Sequence, residues 1–208
     1  MQDILRQRCR RGCHRPPDLR RANAYTLAHT PAHTLALDRP VALPWFPPLT
    51  AAHHPILESL QFHWPDEAAC AAWAAALATR PGIAQAYIAL HGPLGAGKTT
   101  FVRHLLRALG VAGRIKSPTY TVMEPYALAD GSEAAHFDFY RFADPREWLD
   151  AGFRDVFARP GLKIAEWPDQ AASVLPVPDL ALVIEPLEGD HRQVTVQAFT
   201  PLGQGLLA

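Results

Sequence analysis

Eight residues in the middle of the chain have the types and spacing to hold a row of phosphates. They are Gly92-Pro93-Leu94-Gly95-Ala96-Gly97-Lys98-Thr99, and they fit the pattern G-x-x-x-x-G-K-[S/T]. Glycines let the backbone wrap tightly, so that several N–H groups converge on one anion. The backbone of Leu94, Gly95, Ala96 and Gly97 would form that cradle. Lys98, Thr99 and Thr100 would open the following helix, whose free N–H groups and dipole also favour an anion. Lys98 would reach the β- and γ-phosphates, and the Thr99 hydroxyl would meet a magnesium ion. An apolar run, Tyr87 to Leu90, precedes the loop, and Phe101, Val102, Leu105, Leu106 and Leu109 follow at helical spacing. Strand, glycine-rich loop and helix are the setting this chemistry requires.

In open α/β sheets the ligand lies beyond the carboxyl ends of the strands, so acids at strand ends are the expected partners. Asp138 lies within the apolar segment His136-Phe137-Asp138-Phe139-Tyr140 and suits magnesium, directly or through water. The plainer alternatives are a strand residue facing solvent or one paired with Arg141. Glu166 ends the run Leu162–Ala165 and suits magnesium binding or orientation of an attacking water; the plainer reading is a surface carboxylate. Trp167 beside it is placed to stack on a base, a ligand or a partner, or to fill the core. Ser117 and Thr119 fall in a Ser-Pro-Thr loop, where a hydroxyl can sense a γ-phosphate or simply make a turn. No Asn-Lys-x-Asp segment is present to read guanine, so ATP is expected over GTP. His104, His136 and His191 have no metal-site spacing and read as structural.

Charge divides the chain. Of twenty basic and twenty acidic residues, eight arginines and three aspartates fall in residues 1–40, a net of +5, which leaves −5 for residues 41–208. A mildly acidic body with no broad basic field does not suggest tight direct binding to nucleic acid. Cys9, Cys13 and Cys70 cannot all pair within one chain and read as incidental thiols of a reducing compartment. No apolar run has the length of a membrane span, and no secretory signal is evident.

The elements that must position these residues follow in order. Residues 1–58 are rich in Arg, Pro, His and Ala without sustained period, and are read as a disordered or non-native extension. Removal of residues 1–55 is accordingly expected to leave folding and ATP binding unchanged, and loss of solubility in the shortened chain would refute that. Leu60–His63 alternates as a short edge strand. A helix capped by Asp66 runs to about Thr79 and ends at Pro81-Gly82. After the phosphate loop and its helix, Tyr120–Tyr126 and Ala135–Tyr140 read as a hairpin turning at Asp130-Gly131. Asp144-Pro145 starts a short helix with Asp144 as its cap, and a second holds Val156 and Phe157. Leu162–Ala165, Leu180–Ile184 and Val194–Val196 are the remaining strands, and residues 200–208 read as a frayed tail. The sum is an α/β fold: a three-layer domain with a mixed sheet over residues 59–199, of the kind that binds nucleoside triphosphates.

Taken together, His91–Thr100, Lys116-Ser117-Pro118-Thr119-Tyr120-Thr121, Glu124-Pro125-Tyr126, His136–Arg141, Asp144-Pro145, Glu166-Trp167-Pro168 and Leu175-Pro176 resemble, in the same order, the motifs of the TsaE family. That family is the bacterial ATPase of tRNA threonylcarbamoyladenosine synthesis, and the resemblance covers residues 60–199. It implies a small cytoplasmic ATPase, weak alone, that works with the TsaB and TsaD proteins and meets tRNA only through them. TsaD would carry the transfer to the adenosine beside the anticodon, and ATP hydrolysis would reset the complex. By motif, Lys98 and Thr99 would hold phosphate and magnesium, and Asp138 and Glu166 would be the acidic metal or hydrolysis residues. Thr119 would act in a switch-like loop and Trp167 at the nucleotide, with Glu67 and Arg192 flanking it. Two departures stand out: Pro93 replaces an acidic residue usual in the family, and members begin near the segment at Phe62. A small-molecule kinase is the main competing reading, but the arginines beyond the loop (Arg141, Arg146, Arg154 and Arg159) are scattered and suggest no lid. A nucleotide-gated binding module with negligible turnover is the other.

Overall fold

The computed structural model describes residues 54–142 and 145–208. Its seven strands form one sheet in the order β1-β7-β6-β2-β5-β4-β3. They are β1 (Glu58–Trp64), β2 (Tyr87–His91), β3 (Met123–Ala127), β4 (Glu133–Asp138), β5 (Leu162–Glu166), β6 (Leu180–Pro186) and β7 (Arg192–Ala198). The central four, β6, β2, β5 and β4, run parallel, while β7 and β3 run antiparallel to their inner neighbours and β1 antiparallel to β7. The mixed sheet is therefore as expected.

Parallel strands covered on both faces need apolar residues at every position, and Tyr87-Ile88-Ala89-Leu90 is buried throughout. Ile88 and Leu90 meet helices α1 (Glu67–Ala78) and α2 (Lys98–Ala108), joined by Ile164, Leu180, Leu182, Val194 and Val196. Asp66 caps α1 as its sequence indicates, its carboxylate accepting from Ala69 N at 2.8 Å. Trp73 of α1 lies between Phe62, Trp64 and Phe101, with ring centroids 5.5–5.9 Å away, and ties β1 and α2 together. On the other face Tyr87, Ala89, Phe137 and Ala165 meet the short helices α3 (Pro145–Asp150) and α4 (Phe153–Ala158) through Trp148, Phe153 and Phe157. Helices on both faces of one sheet make three layers.

Three expectations are corrected in detail. The strand expected over Tyr120–Tyr126 begins only at Met123, because Val122 has φ 63° and turns the chain out of the extended region. The partner strand stops at Asp138, two residues early: Phe139 N makes the last bond to β5, on Glu166 O at 3.0 Å, and the chain then turns, with Phe142 N on Phe139 O at 2.9 Å. The tail expected to fray is helix α5 (Pro201–Leu207), capped by the Thr200 hydroxyl on Gly203 N at 3.1 Å. Leu206 and Leu207 are fully buried in the α1/α2 layer. Asp144, expected to cap α3, and the N-terminal stretch with Cys9 and Cys13 lie outside the described residues. Cys70 is buried, which pushes its thiol up to about 12, with the Glu67 charge adding to the shift. Such a thiol is inert packing rather than chemistry.

Candidate functional site

Strand β2 delivers the glycine-rich loop at its carboxyl end, and α2 carries it away. Gly92, Gly95 and Gly97 have φ of 136°, 79° and 107°, all in the region that favours glycine. Gly92 is required twice over, since a Cβ there would lie 2.3 Å from Ile184 O. The Ncap of α2 is Gly97, with no side-chain cap, so no side chain of its own occupies the first N–H groups of the helix. Uncapped N–H groups and the dipole end suit an anion. Ala96 is buried and Thr100 half-buried, whereas Leu94 stands 77 % exposed at the rim. Arg192, at the start of β7, donates from Nε to Ala96 O at 3.0 Å and so braces the loop.

Lys98 is buried, and its Nζ donates to Gly92 O at 2.7 Å and Pro93 O at 2.9 Å. The ammonium also lies 4.0 Å from the centroid of the Trp167 ring. Burial pulls the lysine pKa below its ordinary value, and the charges of Glu166 and Asp138 oppose that pull. Trp167 is held over the lysine by a left-handed backbone, φ 56°, and packs on Tyr140 at 5.0 Å.

The acids meet because β4 and β5 are parallel and in register. Asp138 stands directly opposite Glu166 at the carboxyl ends of the two strands. Both are buried, not solvent-facing. Glu166 accepts from Thr99 Oγ1 at 2.8 Å on one oxygen and 3.0 Å on the other, and His136 Nε2 lies 2.9 Å from Oε1. Asp138 Oδ2 accepts from Thr119 Oγ1 at 2.8 Å, and its Oδ1 accepts from Tyr140 N at 3.0 Å. Ser117 Oγ is 2.8 Å from Thr119 Oγ1, which extends the chain of hydroxyls. Arg141 is not the partner of Asp138; its guanidinium sits 4.7 Å over the Tyr120 ring.

The structure therefore gathers Lys98, Thr99, Thr119, Asp138, Glu166 and Trp167 at one end of the sheet. Glu67 is held instead by His104, with Nε2 and Oε1 2.9 Å apart. A cleft of about 740 Å³ opens between the β1–α1 turn and the β6–β7 turn, lined by Pro65, Asp66 and Leu187 to His191. Its size is that of small-ligand sites, and Arg192 links its edge to the loop. His136, for which the sequence suggests no metal-site role, touches Glu166; the signal for that contact is its place two residues before Asp138, hence on the same face of the strand.

The oxygen donors of Thr99, Asp138 and Glu166 fit magnesium rather than a softer metal. Among the described residues no group of three or more His, Cys, Asp or Glu forms a metal cage. Magnesium does not need one, since it commonly takes one or two carboxylates and completes its shell with phosphate oxygens and water.

A family model described as threonylcarbamoyl adenosine biosynthesis protein TsaE matches residues 64–194. The chain belongs to the TsaE family. Among members, the tRNA threonylcarbamoyladenosine biosynthesis protein TsaE of Haemophilus influenzae is 40 % identical over 119 residues, 57 % of this chain and 74 % of that one. The protein of the same name from Bacillus subtilis is 34 % identical over 140 residues, 67 % of this chain and 82 % of its own. The crystal structure of Bacillus subtilis YdiB superposes with a TM-score of 0.57 at 27 % identity, covering 74 % of this chain and 93 % of that one. The TsaE match spans the glycine-rich loop and both carboxylates, while α5 and most of β7 lie beyond its end. No described helix is long and apolar enough to cross a membrane.

Proposed function

We propose that the chain is the ATP-binding and ATP-hydrolysing subunit of threonylcarbamoyladenosine modification of tRNA, acting in the cytoplasm with TsaB and TsaD. The observation that carries the reading is the Thr99 hydroxyl on Glu166, with Asp138 alongside in register. A loop threonine hydrogen-bonded to a strand-end acid is the arrangement that holds magnesium against a triphosphate. The loop N–H groups and Lys98 would bind the β- and γ-phosphates, and Thr99, Asp138 and Glu166 would hold the metal or order its water. When bound, magnesium would neutralise charge developing on the transferred phosphoryl group. Glu166 would orient the attacking water, and Thr119, hydrogen-bonded to Asp138, would report on the γ-phosphate through its loop. The 740 Å³ cleft, with Arg192 at its edge, would take the nucleoside.

The family assignment and the names of its members support the modification pathway; the geometry supports the nucleotide chemistry. The test is phosphate release from Mg-ATP by the chain alone and with TsaB, TsaD and tRNA. Strong stimulation by the partners is expected. Equal turnover with and without them, or transfer of phosphate to a metabolite, would refute the reading.

A further inference from the structure

His136 lies in β4 with its imidazole fully buried. Nε2 is 2.9 Å from Glu166 Oε1, and Nδ1 has no hydrogen-bond partner. With Glu166 as the carboxylate, these two facts give the tautomer: its oxygens only accept, so Nε2 carries the proton and donates it. Nδ1 is then a bare lone pair, and the hydrogen bonding of the ring is committed to Glu166 alone.

The other anchor of Glu166 is the Thr99 hydroxyl, 2.8 and 3.0 Å from its two oxygens. A hydroxyl has one proton and rotates freely, so by itself it is a pivot about which the carboxylate can turn. His136 supplies the second point. Its ring is rigid, it sits on the strand next to β5, and it reaches only Oε1. Two points fix the plane of the carboxylate and leave Oε2 with the threonine alone.

We infer that His136 is a positioning residue that sets the orientation of Glu166 for ATP hydrolysis, an inference that rests on the hydrolytic reading above. It does not touch the reacting atoms. It holds the group that does, as outer-shell partners commonly do for carboxylates and metal ligands. A histidine that merely filled the core would be indifferent to where an N–H is placed. One that holds Glu166 is not.

Glutamine and asparagine separate these cases. The glutamine amide nitrogen lies three bonds from Cβ, as Nε2 does, whereas that of asparagine lies two bonds away, as Nδ1 does. For His136→Gln, phosphate release from Mg-ATP should stay within about threefold of the native rate. For His136→Asn, kcat should fall roughly 10–100-fold with KM little changed. Thermal melts of both variants exclude unfolding as the cause. Long-range proton–nitrogen NMR of the full chain without nucleotide should show His136 as the Nε2–H tautomer, with that proton shifting in Glu166→Ala. Equal kcat in the two variants, a loss confined to KM, or an Nδ1–H tautomer would overturn the inference. If the native chain releases no phosphate with or without partners, the hydrolytic reading falls, and the NMR result still decides whether His136 holds Glu166.

Discussion

Replacing Lys98 by alanine is expected to lower phosphate release from Mg-ATP by roughly 10²–10³-fold, the usual cost of removing one preorganised charge-stabilising donor. The ammonium sits at the mouth of the loop, buried, with Gly92 O and Pro93 O as its hydrogen-bond partners. Among the described residues the other buried lysine, Lys163, does not replace it: it points to Arg159 O and Gly161 O at the start of β5. Folding should survive. The variant loses two hydrogen bonds from a charged donor, each worth about 1.5–3 kcal/mol, and this is offset by removal of a buried charge whose desolvation is unfavourable. The melting temperature should accordingly move by only a few degrees. A Lys98→Ala protein that turns over ATP at the native rate would refute the site assignment.

The same lysine gives a pH dependence whose sign follows from its surroundings. Burial lowers its pKa in the free protein, so the native state resists protonation there more than an unfolded chain does. A bound polyphosphate would raise it again. Binding of Mg-ATP should then take up a proton in the alkaline range. Affinity should begin to fall at a lower pH than an ordinary lysine would give. Calorimetry in buffers of different ionisation heat measures the uptake, and its absence in Lys98→Ala assigns it.

Truncation after Phe199 should be the most damaging change to stability that leaves the site residues intact. It removes α5 and with it Leu206 and Leu207, both fully buried against the α1/α2 layer. Burial of a leucine contributes about 1.5–3 kcal/mol, so the pair contributes about 3–6 kcal/mol. That is a large share of the roughly 5–15 kcal/mol that holds a domain folded. The cut also removes Thr200, whose hydroxyl bonds Asp179 while the other oxygen of that carboxylate accepts from Tyr87 N at 2.8 Å. Tyr87 begins the strand that carries the loop. At about 2–4 °C per kcal/mol for a domain of this size, the melting temperature should drop by about 6–24 °C. A truncated protein that melts within about 2 °C of the full chain would show that α5 is dispensable. Gly203→Ala tests the same joint from within, since a Cβ there would lie 1.9 Å from Asp179 O.

The glycine-rich loop was legible because its chemistry is local. Consecutive backbone N–H groups, a lysine and a threonine act together only when they are neighbours in sequence, so spacing alone reveals them. Asp138 and Glu166 were legible for a related reason: an acid in or just after an apolar strand is out of place unless something needs it. Asp66 and the α1 helix read correctly because a cap and its helix form one short-range unit. The tail misled because its composition, Pro-Leu-Gly-Gln-Gly, is that of a loop. Helix α5 forms because Leu206 and Leu207 join the core that α1, α2, β6 and β7 build together, and burial outweighs poor helix propensity.

By itself, then, the sequence determined the chemical inventory: a glycine-rich loop, a lysine, a hydroxyl and strand-end acids, in an α/β order of elements. The tertiary structure decided which of these touch. The β4–β5 register put Asp138 beside Glu166, brought His136 under the same carboxylate and left Arg141 on Tyr120. Register is a pairing between segments about thirty residues apart, chosen by which apolar faces can be buried together. No local pattern encodes it, so partnerships across strands emerge only when the sheet is assembled.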